Sequence, residues 1–370
     1  MPRRPAVHVA GALLAAGLLL GGAGPALAEE VRPTADPSAP TPTAPLPGGP
    51  PQGSGPGDVP VGGSGLDTRG TVGVEGAPPL PDGIAAAGRL VADAGSGAVL
   101  ATRDPHGRYY PASTLKMLTL LTLLPLLDPA AVVEGTVEDE AVAGSRVGLV
   151  AGGRYPVALL FQALGMQSGN DAANALARAA GGTDLTVRAM NETAAAIGAL
   201  TPSRGRRRGW TWPASPPPPT TSRWSSAGWS RTRARWRSCR RRPHRCPPVE
   251  GRSPGFQIQN QNPLAGTPGN LGGKTGFTDA ARHTFVTAAE RDGRRLVVSV
   301  MGTENVPLRA ADQAARLLDR GFTVPAGRGD HPGPAGRGDH PDHPGRLVDS
   351  AADVPPPSPP APLPAVAPGV

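Results

Sequence analysis

Pro111-Ala112-Ser113-Thr114-Leu115-Lys116, running on into Met117-Leu118-Thr119-Leu120-Leu121, sets a hydroxyl and an amine three positions apart where an apolar helix begins. Pro111 suits the start of a helix, and the Leu-rich run to Leu127 suits a buried one. Ser113 and Lys116 are then expected on one face of the first turn. The positive end of the helix favours the negative charge that develops when Ser113 attacks a carbonyl. A lysine buried beside another cation loses basicity and can take the serine proton. S-x-x-K alone is weak, because chance produces it freely.

Working outward, Gly88 to Asp93 and Ala98 to Ala101 flank Ala94-Gly95-Ser96-Gly97, the pattern of a β-hairpin. Of the 37 Lys and Arg residues only two are lysines, Lys116 and Lys274. A position that keeps Lys where Arg is the rule needs a compact amine whose pKa can shift, or a single point charge. Lys274 lies in Gly272-Gly273-Lys274-Thr275-Gly276-Phe277-Thr278-Asp279. Downstream, Thr284 to Ala288 and Arg295 to Val300 read as strands joined by a turn at Arg291-Asp292-Gly293. K-T-G on a strand lets the backbone pair with an extended peptide while Lys274 meets its carboxylate, and Gly276 permits close approach. Between the two lysines, Ser168-Gly169-Asn170 separates two helical patterns, Val157 to Leu164 and Ala172 to Ala180. A hydroxyl and an amide on that turn can relay a proton and orient a peptide carbonyl. Each of these motifs, taken singly, is also what a capping turn or a Gly-flanked edge strand looks like.

Their order is specific. S-x-x-K, S-x-N and K-T-G in that sequence form the constellation of penicillin-binding proteins and β-lactamases. Spacings of 55 residues from Ser113 to Ser168 and 106 from Ser168 to Lys274 resemble the low-molecular-mass serine D-alanyl-D-alanine carboxypeptidases. So does the surrounding text: PASTLKMLT, SGNDAANALA, FQIQNQN, GGKTGFTDAARHTFV and the closing LLDRGF, covering roughly 85–200 and 252–323. The resemblance implies an α/β fold of the α+β type, β-lactamase/penicillin-binding transpeptidase-like. A mainly antiparallel sheet is flanked by helices beside a helical subdomain, with the N- and C-terminal strands as neighbours. It implies Ser113 as acyl-enzyme nucleophile, Lys116 as its general base and Ser168 as the relay to the departing D-alanine. Asn170 would hold the substrate amide, and Lys274 and Thr275 the terminal carboxylate. Gly276 and Phe277 would complete the binding strand, with the N–H groups of Ser113 and Phe277 as oxyanion hole. The substrate implied is a peptidoglycan stem peptide ending in D-Ala-D-Ala, with β-lactam antibiotics as inhibitors. No metal or organic cofactor is implied, and neither His283 nor any acid is needed as base.

Two rival functions share parts of this text. A β-lactamase needs a device for fast deacylation, such as a glutamate that activates water; between Asn170 and Lys274 the only glutamates are Glu192 and Glu250. A catalytically inactive wall-binding homologue would keep the motifs without turnover.

The chain ends carry different text. Arg3 and Arg4, the apolar run Val7 to Leu20 and Ala26-Leu27-Ala28 read as a cleavable export signal over residues 1–28, giving a secreted protein on the wall side of the membrane. Residues 29–82 read as a Pro/Gly-rich linker, 83–323 as the catalytic domain and 324–370 as a Pro/Gly-rich tail. The octapeptide Pro325 to Pro332 recurs as Pro334 to Pro341, and His331, His340 and His343 there read as spacer rather than metal ligands. No transmembrane anchor is expected.

Arg204 to Pro248 departs from everything around it. All five tryptophans (Trp210, Trp212, Trp224, Trp229, Trp236) and both cysteines (Cys239, Cys246) fall there. Its 13 arginines, unopposed by any acid, exceed the whole chain's net charge of +8. One reading is an arm for an anionic polymer with interleaved aromatics; another is a disordered insertion. A reading that explains more is translation out of frame. Each residue–Trp step, shifted by one base across TGG, encodes Leu, Val or Met, and Gly209-Trp210-Thr211 then reads as the Gly-Leu-Asp that the family carries here. On that reading the two cysteines are no designed disulfide, and no nucleic-acid partner is expected.

Overall fold

The computed structural model describes residues 62, 64–66, 68–107, 109–197 and 245–326. The expected export signal, nearly all of the linker before residue 68, the tail beyond 326 and residues 198–244 of the anomalous region lie outside these. Among the described residues no helix is long and apolar enough to cross a membrane.

The fold opens with β1 (Thr71–Gly73), then β2 (Gly88–Asp93) and β3 (Val99–Arg103), the hairpin expected around Gly95-Ser96-Gly97. A single 3-10 turn, Ala112–Leu115, leads into α1 (Lys116–Leu123). The helix stops short of the expected Leu127 because Pro125 has no amide to donate and its ring clashes with the preceding turn. There follow β4 (Val132–Glu134), α2 (Val137–Ala141), β5 (Arg154–Pro156), α3 (Val157–Gln167), α4 (Asn170–Ala179) and α5 (Thr183–Ala196). After residue 245 come β6 (Arg245–Cys246), β7 (Phe256–Gln257), β8 (Asn270–Thr278), β9 (Arg282–Arg291), β10 (Arg294–Thr303) and α6 (Ala310–Thr323).

Six strands form one antiparallel sheet in the order β1-β3-β2-β10-β9-β8. The early strand β2 pairs with the late strand β10, Leu90 opposite Ser299, so strands from before and after the helical lobe are neighbours in the sheet. Asp292 and Gly293, both at positive φ, make the two-residue turn between β9 and β10. Helix α6 lies on this sheet and buries Ala314, Leu317 and Leu318 against Phe285, Leu296 and Val298. Gly321 allows the approach: a Cβ there would sit 2.8 Å from Leu296 Cδ1 and 2.9 Å from Val91 Cγ1.

The described residues between β3 and β8 supply the helical lobe. The first eight residues of α3, VALLFQAL, are buried on every side, as expected of a helix that is apolar all round. Leu160, Phe161 and Leu164 meet Leu123, Tyr155 and Leu176 in that lobe's own core. Each such side chain contributes about 1.5–3 kcal/mol on burial.

Two domain boundaries shift. The described fold begins before residue 83: β1 pairs with β3, Val72 opposite Thr102, and Val74 is 5 % exposed in the sheet core. Gly/Pro-rich text can add an edge strand through main-chain hydrogen bonds alone, which composition does not reveal. At the other end Val324 is fully buried, so the core extends one residue into the expected tail. Cys246, within the anomalous region, is a buried free thiol in the helical core, its pKa pushed up to about 12 by desolvation; Cys239 lies outside the described residues.

Candidate active site

The site forms at the seam between the two cores. Ser113 sits in the 3-10 turn, and Lys116 is the first residue of α1. The expected shared face is therefore reached through a tighter turn than an α-helical one, with Lys116 Nζ 3.3 Å from Ser113 Oγ. The turn is entered through Ala112 at φ 47, a left-handed conformation that a residue with a Cβ rarely adopts. Such a residue persists only where its surroundings hold it. Here the holding point is the carbonyl of Pro111, which accepts from Thr114 N at 3.1 Å, Thr114 Oγ1 at 2.7 Å and Thr284 Oγ1 at 2.9 Å.

Lys116 is 3 % exposed, and its amine is saturated with acceptors. Besides Ser113 it donates to Ser168 O at 2.5 Å, to Asn170 Oδ1 at 2.6 Å and contacts Ser168 Oγ at 3.1 Å. The turn expected between two helices is present. Ser168 caps α3 at φ 64, which tips both its oxygens toward the amine, and Asn170 opens α4. Gly169 between them admits no side chain, since a Cβ would lie 2.6 Å from Asp171 Oδ1 and 3.0 Å from Val147 Cγ1.

Lys274, Thr275, Gly276 and Phe277 lie on β8, the edge strand that runs past the serine turn. A Cβ on Gly276 would come within 2.8 Å of Ser113 N, 2.9 Å of Pro111 O and 2.5 Å of Thr284 Oγ1. Only glycine lets the strand pass so close. Lys274 is 2 % exposed and donates to Thr275 O at 2.8 Å. The ring of Phe277 packs against that of His283, centroids 4.5 Å apart and the planes tilted by 40°, so His283 flanks the binding strand.

Both amines are weakened as bases. Desolvation, then the charge of Lys274, lowers Lys116 to about 7 against the partial opposition of Asp171. Desolvation lowers Lys274 to about 8. A lysine near 7 is half neutral at neutral pH and able to accept a proton, while its neighbour keeps most of its charge for an anion. Thus the structure brings all eight expected residues together: Ser113, Lys116, Ser168 and Asn170 from the helical side, and Lys274, Thr275, Gly276 and Phe277 from the sheet.

Sequence reasoning missed Asp171. Its carboxylate is fully buried and accepts from the N–H groups of Val147, Gly148, Leu149 and Ala172 at 2.8–3.1 Å. Asn170 adds two ties to the same loop, from its N–H to Ser145 O at 2.7 Å and from Nδ2 to Ala143 O at 2.7 Å. The loop 143–149 is thereby fastened beside the amine. The signal available was an acid in the first turn of an otherwise Ala-rich helix. Of the two glutamates considered for a lactamase, Glu192 and Glu250, both are exposed.

An antiparallel sheet beside a helical lobe, with S-x-x-K, S-x-N and K-T-G meeting at the seam, defines the class of serine penicillin-recognising enzymes. Residues 75–201 match the D-alanyl-D-alanine carboxypeptidase family of peptidases. The chain is 39 % identical over 262 residues to the D-alanyl-D-alanine carboxypeptidase DacB2 of Mycobacterium tuberculosis, an alignment covering 67 % of this chain and 86 % of that protein. The chain belongs to the D-alanyl-D-alanine carboxypeptidase family. A crystal structure of a D-alanyl-D-alanine carboxypeptidase from Mycobacterium tuberculosis H37Rv superposes with a TM-score of 0.59 at 36 % identity, covering 69 % of this chain and 97 % of that one. The Streptomyces K15 DD-transpeptidase shares the fold at a TM-score of 0.56 and 23 % identity, over 67 % of this chain and all of that one.

Proposed function

We propose that this chain removes the C-terminal D-alanine from peptidoglycan stem peptides through an ester on Ser113. The observation that carries the reading is the buried amine of Lys116, lowered to about 7, set 3.3 Å from the Ser113 hydroxyl. Neutral Lys116 takes the Oγ proton as Oγ attacks the penultimate D-alanine carbonyl. The N–H groups of Ser113 and Phe277 receive the developing oxyanion, a contribution of about 2.7–4 kcal/mol per donor where one has been removed. The C–N bond breaks, and the leaving amine takes a proton from Lys116 by way of the Ser168 hydroxyl. Water then attacks the ester, gives a proton back along the same path and frees Ser113. Asn170 holds the substrate amide, while Lys274 and Thr275 bind the free carboxylate, which makes the activity an exopeptidase. Penicillin offers the same carboxylate and carbonyl and is expected to leave a long-lived ester on Ser113. The site is proposed to work outside the cytoplasm, where peptidoglycan is found, after export through residues 1–28.

Incubation with a peptide ending in D-Ala-D-Ala is expected to release free D-alanine, and Ser113→Ala to abolish the release. Release undiminished in Ser113→Ala would sink the reading. Fast turnover of a chromogenic penicillin, in place of a stable adduct, would favour a lactamase instead.

A further inference from the structure

We propose that Thr284 is a positioning residue for acylation, fixing the serine turn against β8 without touching substrate; this rests on the reading of Ser113 as nucleophile. Thr284 is 1 % exposed and stands on β9 directly opposite Gly276. Its hydroxyl crosses the place where a Gly276 side chain would be and donates to Pro111 O at 2.9 Å. That carbonyl lies two residues before Ser113. Its other two donors, the N–H and hydroxyl of Thr114, belong to the turn itself. They can close the turn, but they cannot say where it sits relative to the sheet. Of the three, only Thr284 ties the turn to the strand pair.

The consequence falls on the oxyanion donors. Ser113 N belongs to the turn and Phe277 N to β8, so their separation depends on how firmly turn and strand are registered. Ala112, at φ 47, would relax toward an ordinary conformation if the tie were cut. A displacement of order 1 Å at such a site can cost ~100-fold in rate. Ground-state binding through Lys274 and Thr275, further along the same strand, does not run through this tie.

The test uses the full chain and a labelled penicillin, separating the acylation rate constant from the dissociation constant of the preceding complex. Thr284→Val removes the hydroxyl at nearly constant shape and leaves Pro111 O with its two Thr114 donors. The acylation constant is expected to fall ~10–100-fold with the dissociation constant within ~2-fold, and Thr284→Ser is expected to recover most of the rate. If the valine variant melts below the assay temperature, Thr284→Cys, a poor donor of similar size, is compared with Thr284→Ser in its place. A valine or cysteine variant as fast as Thr284→Ser overturns the inference, as does a loss confined to the dissociation constant. Wild-type protein that takes no label, or labelling that survives Ser113→Ala, overturns the nucleophile reading itself. Ordinary Ser113-dependent labelling with an unimpaired Thr284→Val sinks the positioning role alone.

Discussion

The pH dependence of acylation tests the electrostatics most directly. Lys116 must be neutral to accept the Ser113 proton, so its folded-state pKa of about 7 sets the acid limb of kcat/KM. Below that value the amine is protonated and the rate falls ~10-fold per pH unit. Lys274 must be charged to hold the substrate carboxylate, so the alkaline limb lies near its own value of about 8. A narrow bell between the two is expected, its limbs belonging to the coupled pair. At pH 7 an amine left at the ordinary lysine value would be neutral in only ~1 molecule in 3,000, against about half of them here. The environment of Lys116 therefore contributes on the order of 10³ in available base. Lys274→Met removes the second largest cause of the lowering, so the acid limb is expected to move to higher pH. The assay is the acylation rate with labelled penicillin from pH 5 to 10. An acid limb near 10, or one that shifts downward in Lys274→Met, would refute the assignment of Lys116 as base.

Lys116→Met is expected to abolish acylation yet stabilise the fold. Lowering the amine from 10.5 to about 7 corresponds to at most ~5 kcal/mol, present in full below pH 7 and relieved as the pH rises toward 10.5. Part of that is offset by lost hydrogen bonds, so urea denaturation at pH 6 should show a gain of ~1–4 kcal/mol. Asp171→Ala strands the N–H groups of Val147, Gly148 and Leu149; a loss of ~3 kcal/mol or more in urea, with impaired acylation, is expected. Gly276→Ala drives a Cβ to 2.8 Å from Ser113 N, and acylation should fall ~100-fold while circular dichroism keeps its native shape. Resequencing the gene across codons 200 to 252 is expected to reveal one base gained or lost near codon 204 and a compensating change near 248; a clean read in the present frame ends that explanation.

Chemistry was more legible than geometry. Two lysines among 37 basic residues marked both amines, because proton transfer and point-charge recognition are tasks that arginine performs poorly. Period-two apolar runs and Asp292-Gly293 gave β9 and β10 directly. What the text could not carry was conformation imposed by distant neighbours. Ala112 at φ 47 sits in a turn that Thr284 ties to β9 and that β8 passes at Gly276, and nothing in Pro-Ala-Ser announces it. Asp171 looked like an ordinary helix-opening acid, since three of the four N–H groups it satisfies belong to a loop more than twenty residues earlier. Thr284 looked like one β-branched strand residue among several. Likewise β1 escaped notice because its contribution is main-chain pairing.

The path of the chain through the sheet has an evolutionary consequence. The described residues between β3 and β8 hold the helical lobe, and among them are Ser113, Lys116 and Ser168, the groups assigned to moving protons. The parts assigned to gripping a carboxylate stay behind with the strands. The groups assigned to moving protons and those assigned to the terminal carboxylate thus lie in different stretches of sequence, and they meet where Gly276 passes the serine turn. Residues between β3 and β8 that touch neither the 143–149 loop nor the Gly276 contact can therefore change with less cost to the site.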